Sequence, residues 1–188
     1  MSSDAFDDRR KALEEQFFAQ HEKELVQKLK DAAEKKHSRE ELQKLTGIAN
    51  EQVLDALSEL KLGGAATLVM SLYPIIEVAW ADGVIDAKER AVIGDLAKTI
   101  GLEKDSPAAA YLSKWLEEKP ELSWFDLWSN YVKALVAQMK PDDKAMLKAT
   151  VLGRARVVAE ASGGFMGLAF RMSDAEKRVL EKLELAFG

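Results

Sequence analysis

The chain has no cysteine among its 188 residues. That excludes disulfides, thiol nucleophiles, iron–sulfur clusters and cysteine-bound zinc. Histidine is nearly as scarce, with His21 and His37 the only imidazoles, so most histidine-based metal binding and base catalysis go too. A long apolar run is also missing. The longest stretch without a charged residue, 62–76, contains Ser71 and Pro74, and a bilayer span needs roughly 20 apolar residues. It reads as a buried core helix, and no membrane insertion is expected. Basic residues are outnumbered, 27 against 32 acidic, for a net charge of −5. A nucleic-acid or anionic-membrane binder needs a basic surface, so neither partner is expected. The opening MSSDAFDDRR places three aspartates ahead of any basic residue. No apolar run follows it, and the expected location is cytoplasmic.

What is present is enough apolar material, 47% of residues, to bury a core. The charge is unevenly spread. Residues 46–105 hold 10 acidic and 5 basic side chains, whereas 1–45 and 106–188 are each close to neutral. The whole net charge therefore belongs to one stretch, where a cation-facing site should be sought. Nothing alternates with period two for long, and β-branched residues fall within helical spacing. The expected fold is all-α, a helical bundle with a long charged N-terminal arm over 1–37 and a helical domain over 38–188. Within that domain, 38–62 forms a helical hairpin leading in.

The arm reads as a helix from about Phe6 to Lys36, with a thin apolar stripe at Phe6, Leu13, Phe17, Phe18, Leu25 and Leu29. Such a helix lies over a domain or docks on another protein, and it could join copies of this chain into a homo-oligomer. Ser38 with Glu41 has capping-box spacing, and Asn50 is placed to cap the next helix. After Gly63-Gly64 comes an apolar helix over 65–81, in which Pro74 should make a kink or start a fresh turn near Tyr73. Asp86-x-x-Glu89 opens a helix, Ser106-Pro107 reads as N-cap and first residue of another, and Pro120 and Pro141 separate the next two. Ser173-x-x-Glu176 opens the last. Residues 77–83 align with 157–163, and each stretch precedes a capped helix. This predicts a duplicated helix–loop–helix packed face to face.

The strongest chemical signal is Asp82-Gly83-Val84-Ile85-Asp86-Ala87-Lys88-Glu89, which matches the second half of an EF-hand loop. Hard cations need several oxygen ligands, and the glycine allows the turn that gathers them. The first half is missing, because Val78 and Trp80 occupy positions that should be acidic. A divalent cation, calcium or magnesium, would need Glu77, or Glu160 from the second repeat, to join Asp82, Asp86 and Glu89. The competing reading makes Gly83 a C-cap and Asp86–Glu89 a capping box. A helix-turn-helix over 41–61 is also legible, but its second helix carries Glu51, Asp55 and Glu59 with no base before Lys61, which repels phosphate. Lys140, Lys144 and Lys148 share a helical face that reads as solvated or as a dock for an acidic partner. The tryptophans at 80, 115, 124 and 128 read as core. No catalytic residues stand out, and the chain is expected to be non-enzymatic.

Ala79 through Arg90 (Ala-Trp-Ala-Asp-Gly-Val-Ile-Asp-Ala-Lys-Glu-Arg) resembles the signature of the TerB-like tellurite-resistance family. The loop 161–167 and the helix from Ser173 are similar to the second half of relatives of that family. The same Asp-Gly pattern is similar to the N-terminal domain of a membrane-anchored DnaJ-type co-chaperone. The resemblance spans about 65–188. It implies a duplicated all-α fold, an acidic cluster suspected of holding metal at Asp82, Asp86 and Glu89, and an interaction role in bacterial stress response. Ser162 stands where a second aspartate would complete a symmetric site. Separately, Phe6-Asp7-Asp8-Arg9, Ala12, Glu14 and Phe17 are similar to the start of the zeta-type inhibitor of bacterial F-type ATP synthase. That implies an ATPase regulator acting through the arm.

Overall fold

A computed structural model of the chain describes residue 24 and residues 27–162 and 172–188. The chain divides into two compact units, Met1–His37 and Ser38–Gly188. In the first unit, residues 27–37 are helical and largely exposed. The apolar stripe at Phe6, Leu13, Phe17 and Phe18 lies outside the described residues, as does Leu25.

The second unit is all-helical, and no strand occurs among the described residues. Helix α1 is the part within this unit, 38–46, of a helix unbroken from residue 27; α2 covers Glu51–Glu59, α3 Ala66–Ala79 and α4 Ala87–Thr99. The rest are α5 Pro107–Glu117, α6 Leu122–Val136, α7 Pro141–Ser162 and α8 Asp174–Leu185. A 3₁₀ turn, Gly63–Ala65, leads into α3. The expected caps form where the sequence puts them. Asn50 accepts from the Val53 N–H at 3.1 Å, Ser106 caps α5 with Pro107 behind it, and capping boxes open α4 and α8.

One local expectation fails. Ser38 and the residues before it are helical, so no capping box opens there. Glu41 instead accepts from the Gly64 N–H at 3.2 Å, serving a turn 23 residues downstream. The fit there is tight: a Cβ on Gly64 would lie 2.7 Å from the Leu45 side chain. Pro74 lies inside α3, which runs through it to Ala79. Having no N–H, it leaves the Met70 carbonyl without its intrahelical donor, and a carbonyl short of one donor is tolerated better than an orphaned N–H.

Helix α3 is the centre of the domain. All of Leu72–Ala79 is buried, and the helix packs against α4, α5, α6, α7 and α8. Aromatic side chains fill the space between it and the later helices. Tyr73 meets Trp115 edge-on at 5.9 Å and Trp128 at 6.1 Å, and Trp128 meets Phe187 at 6.2 Å. Trp115 and Trp128 are core residues, 2% and 1% exposed, whereas Trp80 and Trp124 are half-buried.

The core holds one acid on this helix. Glu77 accepts from the Tyr73 hydroxyl at 2.8 Å and faces the Lys182 ammonium of α8 at 3.5 Å. Lys182 in turn lies 3.6 Å from the centroid of the Phe125 ring on α6. Burial and the neighbouring carboxylate push the Tyr73 phenol far above its usual range, so it stays a donor. Substituting Tyr73→Phe removes one of the carboxylate's two partners. The expected cost is about 1–2 kcal/mol, read as a lower urea midpoint with an unchanged slope.

Candidate functional site

The acidic loop between α3 and α4 is held from both sides. At its start, Gly83 adopts φ +94° and donates to the Trp80 carbonyl at 3.1 Å, which closes α3. The Asp82 carboxylate then accepts from the Val84 N–H at 3.0 Å. At its end, one oxygen of Asp86 accepts from the N–H groups of Lys88 and Glu89 at 2.7 and 2.8 Å. Glu89 returns the bond, accepting from the Asp86 N–H at 2.8 Å. These are the capping contacts of a helix start, each satisfying an N–H that α4 cannot satisfy internally.

Side chains also pin the loop to the end of α5. The Trp80 indole donates to the Trp115 carbonyl at 2.7 Å, and Arg90 donates to the Leu116 carbonyl at 2.9 Å. Lys119 reaches back to the Trp80 carbonyl at 3.3 Å. The indole and the guanidinium thus meet carbonyls at the C-terminus of α5, and Lys119 meets one at the end of α3, where positive charge is favoured. Between these anchors Val84 projects outward, 65% exposed, while Ile85 turns into the core at 7%.

Of the five acids nominated as cation ligands, the loop brings three together: Asp82, Asp86 and Glu89. Glu77 is engaged in α3 by Tyr73 and Lys182. Glu160 is exposed on α7, lining a cleft toward α8 with Arg156 and Lys177. Among the described residues, no group of three or more histidine, aspartate or glutamate side chains is disposed to hold a metal ion. Two of the would-be EF-hand positions, Val78 and Trp80, belong to the packed end of α3.

Glu89 has a property that spacing does not reveal. It is 2% exposed, and burial pushes its carboxyl up from 4.5 to about 7, with the charges of Asp86, Asp82 and Glu176 acting in the same direction. Its Asp86 N–H bond opposes the shift without overcoming it. Glu176 is the equivalent residue of the α8 capping box, and it too is buried. The packing of these helices has the same form when the two pairs are exchanged. α3 contacts α4 as α7 contacts α8, α3 contacts α8 as α4 contacts α7, and α3 and α7 contact each other. The loop joining α7 to α8 lies outside the described residues.

The other nominated surfaces are partly consumed by internal pairs. Lys148 binds Glu184 at 2.8 Å. On α2, Arg39 pairs with Asp55 at 3.3 Å and reaches Glu51 at 3.7 Å. The Gly47 turn before α2 does form, at φ +71°, but Val53, Leu54 and Leu57 commit that helix to the core.

A Cβ on Gly83 would meet nothing within 4 Å, so Gly83→Ala should cost only the backbone strain of its left-handed φ, about 1–2 kcal/mol. A loss near zero in chemical denaturation would contradict the C-cap. Glu89 binds its proton near pH 7 when folded but near 4.5 when unfolded. The folded state therefore holds more protons between those values. The charged form's cost is fully present above pH 7 and relieved as pH falls through that range. At about 1.4 kcal/mol per pKa unit, its upper bound is roughly 3.5 kcal/mol. The melting temperature should rise between pH 8 and 6. Glu89→Gln, which keeps an acceptor for the Asp86 N–H, should raise it at pH 8 and flatten the profile.

No single helix among the described residues is long and apolar enough to cross a membrane. Comparison of the chain with family profiles, with characterised proteins and with solved structures finds no match.

Proposed function

We propose that residues 38–188 form a non-enzymatic, TerB-like interaction module of bacterial stress-response type, built from a duplicated helix pair, and that the Asp82–Glu89 loop is its contact surface. The observation that carries this reading is Val84. It is an exposed apolar side chain flanked by the exposed acids Asp82 and Asp86, on a backbone tied at both ends by capping bonds. A pre-organised loop loses little conformational entropy when a partner closes on it. An apolar tip between carboxylates suits a basic partner with a small apolar pocket. The repeated capping boxes and the exchange-symmetric packing of α3–α4 with α7–α8 support the duplication. A photo-crosslinking residue at Val84, in the full chain in its native host, should give a discrete adduct that Asp82→Lys with Asp86→Lys abolishes. No adduct, or the same adducts from the exposed Met146 on α7, would defeat the proposal.

A divalent cation at the same loop is a second reading. It draws support from the gathering of Asp82, Asp86 and Glu89 at one loop, the first two exposed, beside a Glu89 carboxyl whose charged form is disfavoured by burial and then by the neighbouring carboxylates. In that case millimolar calcium or magnesium should raise the melting temperature of the full chain by mass action. Asp82→Asn with Glu89→Gln should remove the increase. An increase that survives both substitutions would place the ion elsewhere, and no increase at 10 mM would leave the carboxylates as caps alone.

A further inference from the structure

A cleft lies away from the loop, between α2 and α6. Its volume is about 610 Å³, within the range of small-molecule sites. Its apolar surface comes from Val53 and Ala56 on α2 and from Leu127 and Ala134 on α6. Small side chains at three of these positions leave the space open. Along the rim stand the carboxamides of Asn130 and Gln138 and the ammonium of Lys133.

The charge of this cleft runs against that of the chain. The protein carries 32 acidic residues and a net charge of −5, yet no lining side chain is acidic and one is cationic. Lys133 makes no ion pair among the described residues, whereas the nearby carboxylates of α2, Glu51 and Asp55, face Arg39 instead. The rim is left with a cation and amide donors above an apolar floor. From this complementarity we infer that the α2–α6 cleft binds a small amphiphilic anion, one carboxylate or phosphate head on a short alkyl chain. The head would meet Lys133 and the amide of Asn130, and the chain would cover Val53, Ala56 and Ala134. The site is independent of the Asp82–Glu89 loop, and neither proposal depends on the other.

Octanoate is the probe, with 1-octanol as its uncharged counterpart, each titrated into the full chain and followed by amide NMR. Saturable shifts should group on Val53, Ala56, Asn130, Lys133 and Ala134. A single exposed charge contributes modestly, so Lys133→Gln should weaken octanoate about three- to fivefold and leave octanol unchanged. Ala137 lines the same cleft but is exposed, so Ala137→Phe can occlude the space without disturbing the core, and it should abolish both. The inference fails if no shift saturates by 10 mM. It fails equally if the shifts spread to the exposed Leu122, Met146 and Leu185 as for a detergent, or if Lys133→Gln leaves octanoate binding unaltered.

Discussion

A helix buried on nearly all sides must satisfy every polar group it carries, and α3 carries a carboxylate. Glu77 is accommodated because Tyr73, one turn earlier, donates to one oxygen and Lys182 of α8 faces the other. A buried acid without such partners would cost several kcal/mol or give up its charge. The constraint reaches outward from there. Lys182 can serve Glu77 only if α8 lies against α3, and its position over Phe125 brings α6 to the same place. Tyr73 must keep its proton to donate, and it packs edge-on against Trp115 of α5. Glu77 and its two partners thus connect the central helix to α5, α6 and α8, and the aromatic side chains fill the volume that remains.

The acidic loop shows why residue types at a given spacing can be read in two ways. A cation loop and a helix N-terminus both present positive charge to be met by oxygen, as an ion in one case and as free N–H groups in the other. Asp-Gly followed by Asp-x-x-Glu suits either. The structure engages Asp82, Asp86 and Glu89 with backbone N–H groups, and the positions that would have completed an EF-hand sit on the packed end of α3. Burial of Glu89 was not legible, because it arises from helices distant in sequence. Glu176, whose charge bears on it, is 87 residues away.

The same division explains the rest of what the sequence disclosed. Features decided within one turn of helix were legible: the caps at Asn50, Ser106, Asp86 and Ser173, and the left-handed glycine at position 83. Features decided by a distant partner were not. Glu41 has the spacing of a capping box with Ser38, but the N–H it serves belongs to Gly64. The α2–α6 cleft had no signature, since Val53 and Lys133 are ordinary residues on two separate helices until packing makes them neighbours.

Glu89 links the loop's surface to its interior. Its proton is held by burial and by the charges of Asp82, Asp86 and Glu176. Asp82 and Asp86 are exposed, and any cationic group that meets them also lowers the energy of a charged Glu89. Binding at the loop and deprotonation of Glu89 must then favour one another, since linkage between two binding events is reciprocal. The ionised carboxylate is also the better acceptor for the Asp86 N–H, so a cationic partner would tighten the capping bond that holds its own docking surface in shape. A buried glutamate at the third position of α4 destabilises the domain above neutral pH, and a cationic group seated on the loop would diminish that cost.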